Sequence, residues 1–119
     1  MYNFTLIGRV PSKKNSRITN RKTGRSFPSS SYVKWHKQAE KQLEKLKEEN
    51  IDFPIHIHYE FFMPDLRKTD ISNKIESIND LLVDIHFLKD DNWKIIQQFS
   101  AYAQLDRDNP RVEIQIDEL

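Results

Sequence analysis

Two acidic groups bracket one amphipathic segment in the second half of this 119-residue chain. The first, Asp70, stands in Met63-Pro64-Asp65-Leu66-Arg67-Lys68-Thr69-Asp70-Ile71-Ser72-Asn73. The second is the pair Asp90-Asp91, in Leu88-Lys89-Asp90-Asp91-Asn92-Trp93. Between them Ile71, Ile75, Ile78, Leu82 and Ile85 recur at steps of four and three, which predicts a helix from about Asp70 to His86 with one apolar stripe. At ~100° per residue, Asp70, Asn73, Ser77, Asp80 and Asp84 fall on an opposed polar face, where their oxygens could converge. Oxygen ligands suit a hard cation. Magnesium keeps several of its waters and needs only one or two protein carboxylates when phosphate supplies the rest. Such an ion orients and polarises a phosphodiester and activates a water, so Asp70 and Asp91 are candidates for metal-dependent phosphodiester hydrolysis. Each also has a plainer reading. Asp70 can be the N-cap of the helix, accepting from an amide near Asn73, and Asp90-Asp91 can be a turn pair bonded to neighbouring backbone.

The charge distribution says what would meet these acids. Net charge is only +1, but no acidic residue precedes Glu40, while nine Lys and Arg do; the remaining ten stand against all 18 Asp and Glu, a formal −8. A polyanion would meet the first third. Lys13, Lys14, Arg17, Arg21, Lys22 and Arg25, with Arg67 and Lys68 ahead of the acidic segment, would neutralise DNA phosphates and release counterions, so binding should weaken steeply with salt. The bland alternative for residues 13 to 25 is a solvated arm. Phe27, Tyr32 and Trp35 could stack on unpaired bases, although Trp35 sits at helical spacing and reads as core.

Other chemistries are narrowed or excluded. Without cysteine there is no disulfide, thiolate nucleophile or Cys-bound zinc, which fits a reducing, cytoplasmic setting. The first nine residues alternate too much for a signal peptide, and no apolar run approaches the ~20 residues of a membrane span. Only two glycines are present, and Ser29 to Ser31 lack a nucleophile-elbow pattern, so no phosphate-cradling loop and no nucleotide cofactor are expected. His56 and His58 share one strand face and read as solvated or structural, and His36 and His86 have no evident partners.

Positioning these groups requires a small α/β domain. Residues 2 to 9 read as a strand, 10 to 30 as a long basic loop, and 31 to 50 as an amphipathic helix carrying Trp35, Ala39, Leu43 and Leu46. A second strand follows Pro54, then the helix described above, then strands at 93 to 104 and 111 to 117. The order β-α-β-α-β-β predicts one domain over 1 to 119, a mixed sheet with two helices packed on it.

This pattern resembles the RusA family of Holliday-junction resolvases over nearly the whole chain. Members begin with a strand leading into a Pro-Pro-Ser-x-Asn type segment, matched by Pro11-Ser12-Lys13-Lys14-Asn15, and Asn15 joins the expected DNA contacts. Their signature, Asp-x-Asp-Asn opening a helix with Asp-Asp after it, is matched by Asp70-Ile71-Ser72-Asn73 and Asp90-Asp91. The resemblance implies a RusA-like fold, Mg²⁺ (with Mn²⁺ substituting), cleavage of four-way or branched DNA by a homodimer, and a phage or prophage setting. It carries Asp70 and Asp91 over as metal-binding catalytic acids, with Asn73 and Asp90 as matching motif residues; Asp80 matches an acidic position further along. Two departures stand out: Ser72 occupies the place of a second aspartate, and Glu76 that of a helix lysine needed for cleavage. A swap of roles would put Glu76 at the metal and Lys74 on the phosphate or on transition-state charge. A protein that lost both would be a non-cleaving DNA binder of the same fold.

Overall fold

The computed structural model describes residues 1–12 and 17–119. Its main sheet has four strands, β1 (Tyr2–Ile7), β6 (Arg111–Glu118), β4 (Ile55–Met63) and β5 (Ile96–Leu105), in the spatial order β1-β6-β4-β5. The β1/β6 and β6/β4 pairs are antiparallel, and β4/β5 is parallel. A parallel neighbour cannot be reached by a tight turn, so the chain crosses over through α2 (Ile71–Asp84). The predicted mixed sheet with two helices is thus observed; α1 (Ser30–Gln42) is the other helix.

Alternation along the strands places the core on one face. Tyr2, Ile116, Ile57 and Phe99 form one cross-strand row, Phe4, Ile114, Tyr59 and Ala101 the next, and Leu6, Val112, Phe61 and Ala103 a third. Trp35 and Ala39 of α1 and Leu43 just after it, with Ile78, Leu81 and Leu82 of α2 and Ile85 just after it, complete a single core cluster with the β1, β6 and β4 members of these rows, while Phe99, Ala101 and Ala103 of the edge strand stay exposed. Trp35 is therefore core, as its spacing predicts.

Three boundaries differ from the sequence reading, each because local hydrogen bonds override propensity. The basic stretch is not a plain loop: Arg17–Thr19 (β2) and Ser26–Pro28 (β3) form a hairpin, closed by Asn20, whose Oδ1 accepts from the amides of Lys22 (2.9 Å) and Thr23 (3.4 Å). Helix α1 ends at Gln42 instead of near 50, because the amides of Glu48, Asn50 and Ile51 donate to the carbonyls of Ile85, His86 and Phe87. Strand β5 starts at Ile96, since the amides of Lys94, Ile95 and Ile96 all turn back onto Asn92. His36 has partners after all, with Glu40 and Asp84 each 2.9 Å from its ring nitrogens, which ties α1 to α2. No helix among the described residues is long and apolar enough to cross a membrane.

The β5–β6 turn carries the clearest pH handle. Arg111 donates to Asp106 (3.0 Å) and stacks 3.6 Å from the Phe62 ring centroid, and the amides of Asn109 and Asp108 also donate to Asp106. Arg111 first, then these amides, holds the Asp106 carboxyl below the usual carboxylate range. A depressed folded value means stability that is present above the unfolded pKa of about 3.9 and lost as pH falls through the folded one. Acid melts of Asp106→Asn should therefore show a shallower loss below about pH 4 than the parent.

Candidate active site and nucleic-acid interface

Helix α2 is pinned to the segment that follows β1. Gly8, at φ 92°, turns the chain off the strand end, and its amide donates to Pro110. Arg9, Val10 and Pro11 then run along the helix. Lys74 is 2% exposed and its ammonium donates to the Val10 carbonyl, while the fully buried Ser77 hydroxyl donates to Pro11 O (2.8 Å) and Asn73 O (3.2 Å). This corrects the expected polar face: Ser77 points inward, and the buried side runs through Lys74, Ser77, Ile78, Leu81 and Leu82. Serine and lysine can sit there because the carbonyls of an adjacent, strandless segment meet them.

Two cavities flank the first turns of α2. The first, about 390 Å³, is lined by Arg9, Pro11, Ser12, Arg67, Lys68, Thr69 and Lys74, four cations and no carboxylate. Asp65 sets its rim: it accepts from the Arg67 amide (3.0 Å) and guanidinium (3.0 and 3.1 Å) and lies 3.7 Å from Arg9. Burial above all pushes the Lys74 ammonium below the ordinary lysine value, with Arg67 acting in the same sense and Asp65 against it. Asp70 occupies the N-cap position, but its side chain makes no capping hydrogen bond. The first-turn amides at the positive end of the helix thus lack a carboxylate cap, which favours an anion there.

The second cavity, about 370 Å³, is lined by Ser72, Ile75, Asn79, Asp91, Trp93, Ile96 and Phe99. Its one charged group is Asp91. Partial burial of that carboxyl, a hydrogen bond with Asp90, and the charges of Asp80 and Asp90 raise it above the usual range. Tyr59 donates its hydroxyl to Asn79 Oδ1, and burial holds that phenol in its protonated form. Asp90 behaves as the turn reading has it: its oxygens accept from the Asp91 amide and the Asn92 side chain, both at 2.8 Å, which hold it below the usual range.

The chemistry of the donor set fits a hard cation. Ser72, Asn79 and Asp91 offer oxygens in one place, with Asp80 close enough to Asp91 to raise its pKa. Among the described residues, however, no three His, Asp or Glu side chains converge as a metal-binding group. In the chain Asp70 stands between Thr69, which lines the basic cavity, and Ser72, which lines the acidic one. Glu76 is exposed and Asn73 half-buried, and both are absent from the linings of these two cavities.

The basic contacts divide. Arg67, Lys68 and Lys74 share a cavity; Arg21 and Lys22 project at the turn of the β2–β3 hairpin; Arg17 spends its guanidinium on Ser26 (2.8 Å to both Oγ and O) and braces that hairpin. Lys13, Lys14 and Asn15 lie outside the described residues. Sequence reasoning missed Arg9, Tyr59, Asn79, Trp93 and Phe99. Asn79 was discoverable, three and seven positions beyond Glu76 and Ser72 on one helix side, but Tyr59 and Phe99 reach the site only through strand pairing.

The chain is similar to a protein of Aquifex aeolicus (strain VF5) named crossover junction endodeoxyribonuclease RusA, with 29% identity over 87 residues, which cover 72% of this chain and 69% of that one. The model of a family described as endodeoxyribonuclease RusA matches residues 8–117, from the turn after β1 into β6 and so across both cavities. The chain belongs to the RusA family of endodeoxyribonucleases.

Proposed function

We propose that this protein is a structure-selective endodeoxyribonuclease of the cytoplasm that cuts four-way DNA junctions with Mg²⁺. The observation that carries the reading is the pair of cavities of opposite character on either side of the first turns of α2. A phosphodiester laid over the helix start has its anionic oxygens toward Arg9, Arg67, Lys68 and Lys74, and its reacting side toward Asp91. Asp70 and Asp91 would hold the cation, with Asp90, Asn73 and Glu76 as further oxygen donors within the family motif. When bound, Mg²⁺, or Mn²⁺ in its place, would supply positive charge against the phosphate and lower the pKa of a water. The chain's own part is positioning. Lys74, fixed by Val10 O, offers its further N–H donors to a phosphate oxygen without having to order a long side chain, and the Tyr59–Asn79 bond keeps Asn79 in place beside Asp91. Lys13, Lys14, Arg21 and Lys22 bind flanking phosphates.

Two specific observations favour a second reading, a branched-DNA binder that does not cut. Ser72 replaces a carboxylate within the acidic cavity, and no group of three acidic or histidine ligands forms among the described residues. A labelled synthetic junction separates the two. The wild type is expected to give paired symmetric nicks with Mg²⁺ and none with EDTA, and Asp70→Asn and Asp91→Asn to bind undiminished while cutting at least about a hundredfold more slowly. Junction binding without nicks at any metal or sequence would select the second reading.

Paired nicking calls for two sites, and we propose a homodimer that joins through β5. This edge strand lies in the longest uncharged run of the sequence, residues 95 to 105, and its outer backbone edge is open to a second strand, with Tyr102 (54% exposed) beside it and outside the lining of the acidic cavity. Sedimentation should show a dimer that Ala103→Lys converts to monomer; a dimer unchanged by that lysine would place the interface elsewhere.

A further inference from the structure

The β2–β3 hairpin and the first turns of α1 enclose a groove that cleavage does not use. It has a volume of about 550 Å³, and its lining includes Ile18, Phe27, Pro28, Val33, Lys34 and Lys37. Ile18 and Phe27 face each other across the hairpin, yet each remains 45% exposed, and Val33 is exposed beside them. A ribbon of two three-residue strands is marginal on its own and has little reason to leave its one large apolar pair half in water. These surfaces share the groove with two lysines, in a stretch of chain that has no acidic residue before Glu40.

A ligand suited to this groove presents a flat or apolar face and carries negative charge next to it. An unpaired nucleotide does both: its base stacks on an aromatic ring while its phosphates meet lysines. A duplex offers the charge but keeps its base faces stacked on one another. We propose that the groove binds an unpaired nucleotide in a single-stranded or opened branch of DNA, with Phe27 as the stacking platform and Lys34 and Lys37 as phosphate contacts. The proposal rests on the DNA reading above, but not on cleavage.

The test is binding by fluorescence anisotropy, in EDTA, of a labelled short oligothymidylate and of a duplex of equal length. Phe27→Ala and Phe27→Leu should each weaken oligothymidylate binding about tenfold, with Phe27→Trp close to the parent and duplex affinity nearly unmoved. Replacing Lys34 and Lys37 together by Gln should flatten the salt slope on the single strand by roughly 1.4. Leucine keeps the apolar contact with Ile18, so it separates stacking from hairpin stability. The proposal is overturned if Phe27→Leu binds the single strand like the parent, if the duplex loses as much, if the parent does not bind oligothymidylate, or if polyglutamate competes as well as the oligonucleotide. A failure of the nuclease reading would appear instead as uncut junctions, with these affinities unchanged.

Discussion

A buried ammonium on a backbone carbonyl organises this molecule. An unpaired charge inside a protein costs several kcal/mol, so Lys74 can be enclosed only while Val10 O accepts from it. Ser77, one turn on, repeats the arrangement with Pro11 O. Together the two bonds lay the start of the basic segment along α2 and fix where Arg9 and Ser12 stand relative to the helix start. The same burial lowers the lysine's pKa, and the basic cavity adds like charge around it. An anion there offsets both costs, which makes the fold and the binding of phosphate interdependent.

The sheet supplies the other half. Because β4 and β5 are parallel, the connection must cross from one end of the sheet to the other, and α2 with the turn at 86–95 is that connection. Asp70 opens the crossover and Asp91 lies near its end. Parallel pairing also brings Phe99 beside Ile57 and leaves β5 on an open edge, next to Asp91 and Trp93. One topological choice thus sets the acidic cavity and the exposed apolar edge together.

Much of this was legible beforehand. The strands around Ile57 and Ile114, the crossover helix and the acidic brackets followed from alternation and from spacing, and Trp35 declared itself as core. What periodicity could not reveal was long-range. Ser77 reads as polar surface until Pro11 O is known to face it, and Lys74 reads as a phosphate contact with no sign of the buried bond to Val10 O. The hairpin at 17–28 depends on the side chain of Asn20, and the early end of α1 on carbonyls at 85–87, more than thirty residues away. Local pattern located the elements, whereas the partners of buried polar groups located the site.

Cleavage as proposed requires a cation seated beside the start of α2, with phosphate on the other side. The most direct measurement is a Mn²⁺ titration of isotopically labelled protein, followed by paramagnetic broadening of its amide signals. Broadening that begins at residues 70–73 and 90–92, and that weakens in Asp91→Asn, is the predicted result. Broadening centred elsewhere, for example on Glu60 and Glu113, paired across β4 and β6 on the sheet face opposite the buried rows, would contradict it.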